Sequence, residues 1–157
     1  MVDIYKGRTT REYLEWYSKA PQEILIETVG VCNLRCIGCP QSLPEYRLKK
    51  QKHPIMEFEL YKSILQQIKG LFPPINIGLY HTGEITLLPH ERFDLYLKTA
   101  KQILRAGDGW NSVGFYTNGL LLDAGRRASI IHHEIDWVRI SFDGGTETAY
   151  QAVRIGG

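Results

Sequence analysis

The sequence predicts an α/β fold in which short parallel strands alternate with crossover helices. Two observations carry this. Four short apolar, β-branched or aromatic runs occur at residues 23–29, 75–81, 112–117 and 136–142, and amphipathic helical patterns separate them. A third observation adds direction: each run is followed or closed by a polar or cysteine-bearing cluster, as expected where loops gather at the carboxyl ends of parallel strands.

The elements follow in order. Thr9 and Glu12 form a Thr-x-x-Glu capping box, Tyr13, Trp16 and Tyr17 follow at helical spacing, and Pro21 stops the run, so an N-terminal helix is expected over 9–20. Strand one is expected over 23–29. The stretch 41–54 is the least regular in the chain and carries Arg47, Lys49, Lys50 and Lys52; it reads as a solvated loop, or as a flap over an anionic substrate. Phe58, Tyr61, Leu65 and Ile68 mark one helix face, Phe93, Leu95, Leu97 and Ile103 a second, and residues 124–133 a third helix with Asp123 as its N-cap. A fourth helix is expected from Thr146. His132 and His133 fall near a helix C-terminus, where imidazolium complements the dipole. Trp16, Trp110 and Trp137 read as packing residues.

With 157 residues, 43% apolar and 23% charged, the chain has the composition of a globular protein. Nineteen Lys and Arg against seventeen Asp and Glu leave a net charge of +2, which gives no reason to expect a nucleic-acid or membrane partner. No signal-peptide pattern or long apolar run occurs, and unpaired thiols suit a reducing compartment, so a cytoplasmic protein is expected.

The chemistry is concentrated in Cys32, Cys36 and Cys39, written Cys-Asn-Leu-Arg-Cys-Ile-Gly-Cys-Pro; these are the chain's three cysteines. An odd count in a protein that is not cysteine-dense argues against a disulfide framework. Three thiolates on one loop can face one metal centre and leave a position open, whereas closed zinc sites and ordinary iron–sulfur clusters take four protein ligands. A zinc site completed by His53 or His81 is the chemical alternative. After strand two stands His81-Thr82-Gly83-Glu84, after strand three Thr117-Asn118-Gly119, and closing strand four Ser141-Phe142-Asp143-Gly144. Gly83 would let a ligand approach the backbone, and the Glu84 carboxylate suits an ammonium group.

These motifs resemble the radical S-adenosylmethionine (radical SAM) enzymes, whose signature is Cys-x3-Cys-x2-Cys. The resemblance covers about residues 23–157, including Met56. It implies that Cys32, Cys36 and Cys39 hold three irons of a [4Fe-4S] cluster, with S-adenosylmethionine (SAM) on the fourth. Thr-Gly-Glu-Ile here is similar to the family's Gly-Gly-Glu-Pro, which contacts the SAM amino group through the positions of Gly83 and Glu84; the first glycine and the proline differ. Asn118, in a Thr-Asn-Gly shared with the family, is implied to line the SAM pocket. Ser141-Phe142-Asp143-Gly144 with Tyr150 and Arg154 is similar to the SPASM branch, where the matching serine contacts the SAM ribose and the arginine its carboxylate. Gly38 replaces the aromatic residue that the family places before its third cysteine, so no adenine contact is assigned.

The implied fold is a partial TIM-barrel-like core of six βα units, about four of them present here. It would comprise residues 23–157, truncated at the C-terminus, behind a helical extension at 1–22. The implied reaction is reductive cleavage of SAM to a 5′-deoxyadenosyl radical that abstracts hydrogen from a substrate, peptide or small molecule. An electron donor such as flavodoxin or ferredoxin is implied as partner. No acid–base pair or nucleophile is assigned. A non-catalytic iron–sulfur or zinc module is the rival reading, and strand four would present an apolar edge.

Overall fold

The computed structural model describes residues 9, 11, 12, 15, 21–69, 75–105 and 111–156. Thr9 and Glu12 form the expected capping box: the Glu12 carboxylate accepts from the Thr9 amide at 2.7 Å, and the Glu12 amide donates to the Thr9 hydroxyl at 3.4 Å. Tyr13, Trp16, Tyr17 and Trp110 lie outside the described residues.

Strands β1 (Glu23–Leu25), β2 (Asn76–Gly78), β3 (Ser112–Thr117) and β4 (Trp137–Ile140) form one parallel sheet in the order β1-β2-β3-β4. Helices α1 (Pro44–Gln51), α2 (Phe58–Ile68), α3 (His90–Arg105), α4 (Ala124–His132) and α5 (Glu147–Val153) alternate with them. The α/β fold with successive parallel βα units is as the sequence predicts.

Strands β1, β2 and β4 are shorter than their apolar runs. Past the ladder the strands hold by single bonds, Ile26 amide to Gly78 carbonyl, Leu79 to Gly114 and Ser141 to Thr117, each 2.8 Å. The continuation of β1 then leaves the sheet: Thr28 carbonyl accepts from the Met56 amide at 2.9 Å, and Val29 bridges Ile55. The strands part at their carboxyl ends, which opens room for the loops that carry the polar clusters.

Residues 41–54 are a correction. The sequence reads them as an irregular loop, but Pro40–Ser42 forms a 3-10 turn and Pro44–Gln51 a helix. Pro44 at the first helical turn loses no bond there, and Glu45 and the pair Lys49, Lys50 complement the two ends of the dipole. The polar composition hid the helix because it has no buried residue to mark a face.

The main core lies between one sheet face and α2 and α3. Ile77, Leu79, Val113 and Phe115 meet Tyr61, Leu65, Phe93, Tyr96 and Leu97, all essentially inaccessible. Tyr61 and Tyr96 stack at 4.6 Å, and their hydroxyls donate to the Tyr96 and Met56 carbonyls. Asp123 caps α4 as predicted, accepting from the Arg126 amide at 2.9 Å. His133 closes α4 and faces Asp94 at 2.8 Å. Trp137 is a packing residue, in contact with Tyr80 and Tyr116. Strand β4 is an edge, with Ile140 57% and Phe142 71% exposed. Among the described residues no helix is long and apolar enough to cross a membrane.

Candidate functional site

The cysteine loop leaves β1 and is fastened from several sides. The amides of Arg35 and Ile37 donate to the Ile155 and Val153 carbonyls at 2.9 and 3.0 Å, so the loop satisfies acceptors at the end of α5. Within it the Cys39 amide donates to the Cys36 carbonyl at 3.1 Å, and the Ser42 hydroxyl to the same oxygen at 2.6 Å. Gln41, buried, reaches back to the Gly30 carbonyl at 2.8 Å. All three cysteines are free and half-buried.

Gly38 has φ of 79°, a conformation that L side chains rarely adopt, and a Cβ there would meet no atom within 4 Å. Backbone conformation, not crowding, therefore accounts for glycine before the third cysteine.

Glu84 is the hub of the strand ends. Only 3% exposed, its Oε1 accepts from the Thr86 amide at 3.1 Å, the Thr86 hydroxyl at 2.7 Å and the Thr117 hydroxyl at 2.8 Å, and its Oε2 accepts from the Asn118 amide at 2.8 Å. A carboxylate has about four acceptor sites. Glu84 thus already ties the loop after β2 to the end of β3, and Oε2 retains capacity for a further donor. Its neighbour Gly83 serves the chain's own backbone: a Cβ there would lie 1.8 Å from the Val29 carbonyl oxygen. The close approach expected for a ligand is made by the start of the cysteine loop.

Asn118 links this hub to the cysteines. Its Nδ2 donates to Asn33 Oδ1 at 2.8 Å and reaches Cys32 Sγ at 3.9 Å, while Oδ1 accepts from the Leu120 amide at 3.0 Å. Burial pushes the Cys32 thiol up, and the charges of Glu84, Cys36 and Cys39 act the same way, against the donation of the Leu34 amide. Arg154 approaches from the other side. Its Nη1 lies 3.5 Å from Cys36 Sγ, and its Nε donates to Asp143 Oδ2 at 2.5 Å. The arginine expected at a SAM carboxylate is here paired with a carboxylate of its own chain. Ser141 is half-buried at the end of β4 and anchored through its amide to Thr117. Thus side-chain contacts join Cys32, Asn118 and Glu84 in one set and Cys36 and Arg154 in another, and the backbone of the cysteine loop connects the two, while Gly83, Cys39 and Ser141 are held through backbone.

The sequence assigns no role to Asn33, Gln41 or Glu27, and for Asp143 and Arg47, which stand in stretches it singles out, it does not show the partners; Asn33 and Asn118 meet across 85 residues of sequence. Arg47 donates Nη2 to the Cys32 carbonyl at 3.3 Å, and its buried Nη1 has no partner among the described residues. Glu27 joins Thr82, whose amide and hydroxyl donate at 2.9 and 2.7 Å, to Lys50 of α1, and Tyr46 bonds Thr82 at 2.8 Å. Its carboxylate in the middle of an apolar strand was the available signal.

The donor set can be tested against metals. Zinc holds its thiolates about 2.3 Å from a single point. Among the described residues no three Cys, His, Asp or Glu side chains converge to hold an ion. The candidate fourth ligands are engaged elsewhere or remote: His81 Nδ1 faces Glu27 at 3.6 Å, and His53 is exposed at the end of α1. An iron–sulfur cluster spreads its thiolates over several irons, and two guanidinium groups beside the loop, Arg47 and Arg154, complement the negative charge of three thiolates. Three thiolates flanked by two guanidinium groups are a donor set chemically compatible with a cluster.

Residues 26–157 match the Radical SAM superfamily. The chain belongs to the radical SAM superfamily. Solved structures of similar fold include BtrN in complex with AdoMet and 2-DOIA, with a TM-score of 0.66 and 24% identity over 86% of this chain and 51% of that one. A second is anSMEcpe with bound AdoMet, with a TM-score of 0.67 and 22% identity over 85% of this chain and 35% of that one. This radical SAM chain therefore spans about half the length of the first and a third of the second. No curated protein matches it. The four-stranded parallel sheet and its helices resemble the radical SAM partial barrel.

Proposed function

We propose that this chain is part of a radical SAM enzyme that binds a [4Fe-4S] cluster and SAM at the carboxyl ends of its strands. The observation that carries the reading is the tethered loop of three free cysteines, linked through Asn118 and Arg154 to the ends of β3 and β4. In this reading Cys32, Cys36 and Cys39 hold the cluster, and Glu84, Asn118, Ser141 and Arg154 form the SAM site, with Gly83 letting the strand-two loop seat against the start of the cysteine loop beside it. The bound cluster and SAM would supply a 5′-deoxyadenosyl radical for hydrogen abstraction.

The chain's residues bind and orient. Glu84 keeps the strand-two and strand-three loops in register and offers Oε2 to an ammonium group. Asn118 positions the loop at Cys32. Arg154 takes the SAM carboxylate by exchanging Asp143, a half-exposed partner, for it; its planar fork suits either carboxylate. Residues 23–157 act as the core domain, behind the extension 1–22, in a cytoplasmic protein that receives its electron from a flavodoxin or ferredoxin. The fold likeness to structures holding AdoMet supports the SAM assignment.

Electron paramagnetic resonance tests this. SAM added to the reconstituted, reduced full-length protein is expected to change the cluster spectrum, and Arg154→Gln to weaken that change while the cluster remains. A spectrum indifferent to SAM would make this an electron-transfer or structural iron–sulfur module.

A further inference from the structure

Side chains alternate across a strand, so the residues that do not face α2 and α3 line the opposite face of the sheet. In closed barrels that face is filled by bulky aliphatic residues. Here it is aromatic and glycine-lined. Tyr80, Tyr116 and Trp137 meet one another with ring centroids 4.6 to 6.0 Å apart. Two glycines make room for the rings: a Cβ on Gly78 would lie 2.4 Å from the Tyr80 ring, and one on Gly114 2.2 Å from that of Trp137.

Arg139 lies on this floor. Its guanidinium carbon is 5.4 Å from the Tyr116 ring centroid and 5.2 Å from that of Trp137. Nη1 donates to the Tyr116 hydroxyl at 2.5 Å, which fixes the fork's orientation. The side chain is exposed; the one carboxylate that acts on it from this floor is Glu23, which accepts from the Tyr80 hydroxyl at 3.4 Å and makes no direct ion pair with Arg139 among the described residues. Arg126 and Arg154, by contrast, are paired with carboxylates. Arg139 also precedes Ser141 by two residues on the same strand face, about 7 Å deeper along β4 by strand rise.

We propose that Arg139 is the substrate anchor of this enzyme, receiving a carboxylate on its fork while an apolar or aromatic part of the same molecule packs on Tyr80, Tyr116 and Trp137. This rests on the radical SAM reading, since it places the substrate beside Ser141. An oriented, stacked guanidinium recognises a carboxylate by paired charge-assisted hydrogen bonds, and the ring floor gives the apolar part of the molecule a surface to pack on. A cationic or polyhydroxylated substrate would leave the arginine unmatched.

The test uses phenylacetate and its neutral twin phenylacetamide as probes, titrated calorimetrically into full-length protein. Phenylacetate is expected to bind about tenfold or more tightly than the amide, since a hydrogen bond to a charged group outweighs a neutral one by that order. Arg139→Gln should abolish the preference, and Arg139→Lys should retain part of it. Equal binding of the two probes, no binding of phenylacetate, or an unchanged preference in Arg139→Gln overturns the anchor. The spectral response to SAM is measured on the same variant. If that response persists while the preference does not depend on Arg139, the anchor alone fails; if SAM has no effect even in the unaltered protein, the radical SAM reading fails.

Discussion

At the scale of residues, Glu84 is a structural hub of the strand ends. Four donors converge on a carboxylate that is nearly inaccessible. Glu84→Ala would leave the Thr117 hydroxyl and the Asn118 amide without an acceptor, at a cost of about 1–3 kcal/mol for each buried group. Denaturant unfolding is expected to show a loss of at least ~2 kcal/mol for Glu84→Ala, and a smaller loss for Glu84→Gln, which keeps one acceptor. Equal stability of Glu84→Ala and the unaltered protein would remove Glu84 as the hub. The motif was legible in the sequence because glycine, glutamate and asparagine stand at strand ends. Its internal wiring was not, because Glu84 and Asn118 are separated by a whole βα unit. Gly83 was legible as a point of close approach, but sequence does not tell a ligand's backbone neighbour from the chain's own.

Among elements, α1 is the one the sequence concealed. It has no apolar face, and polar contacts dock it: Lys50 on Glu27, Tyr46 on Thr82, Arg47 on the Cys32 carbonyl. Burial alone would push the Glu27 carboxyl up, but Lys50 and the two Thr82 donors outweigh it and hold the group below its ordinary value. An unfolded Glu27 binds its proton more readily than the folded one, so its contribution is complete above the ordinary glutamate range and is lost as pH falls through the folded value. Stability measured from neutral to acid pH is expected to fall less steeply in Glu27→Gln than in the unaltered protein. Parallel pH profiles would show that Glu27 does not couple α1 to the sheet. By contrast α2 and α3 were plain in the sequence, because Phe58, Tyr61, Leu65, Phe93 and Leu97 repeat at the period their burial requires. The strand ends were overestimated where apolar residues continue past the ladder into loops that leave the sheet.

For the whole molecule, the central claim is that one end of a parallel sheet gathers three thiolates with a position left open. Parallel topology gathered the strand-end motifs as the sequence implied, since every strand points the same way. The edge at β4 leaves Ile140 and Phe142 in solvent, as the apolar run at 136–142 foretold. The chain spans only part of the length of the solved structures it resembles. The most direct measurement is metal and sulfide content after anaerobic reconstitution of the full-length protein and of Cys36→Ala. The account predicts about four irons and four acid-labile sulfides bound through this loop, and failure of that cluster to assemble stably in Cys36→Ala. One tightly held zinc with no sulfide, or a cluster unaffected by Cys36→Ala, would contradict it.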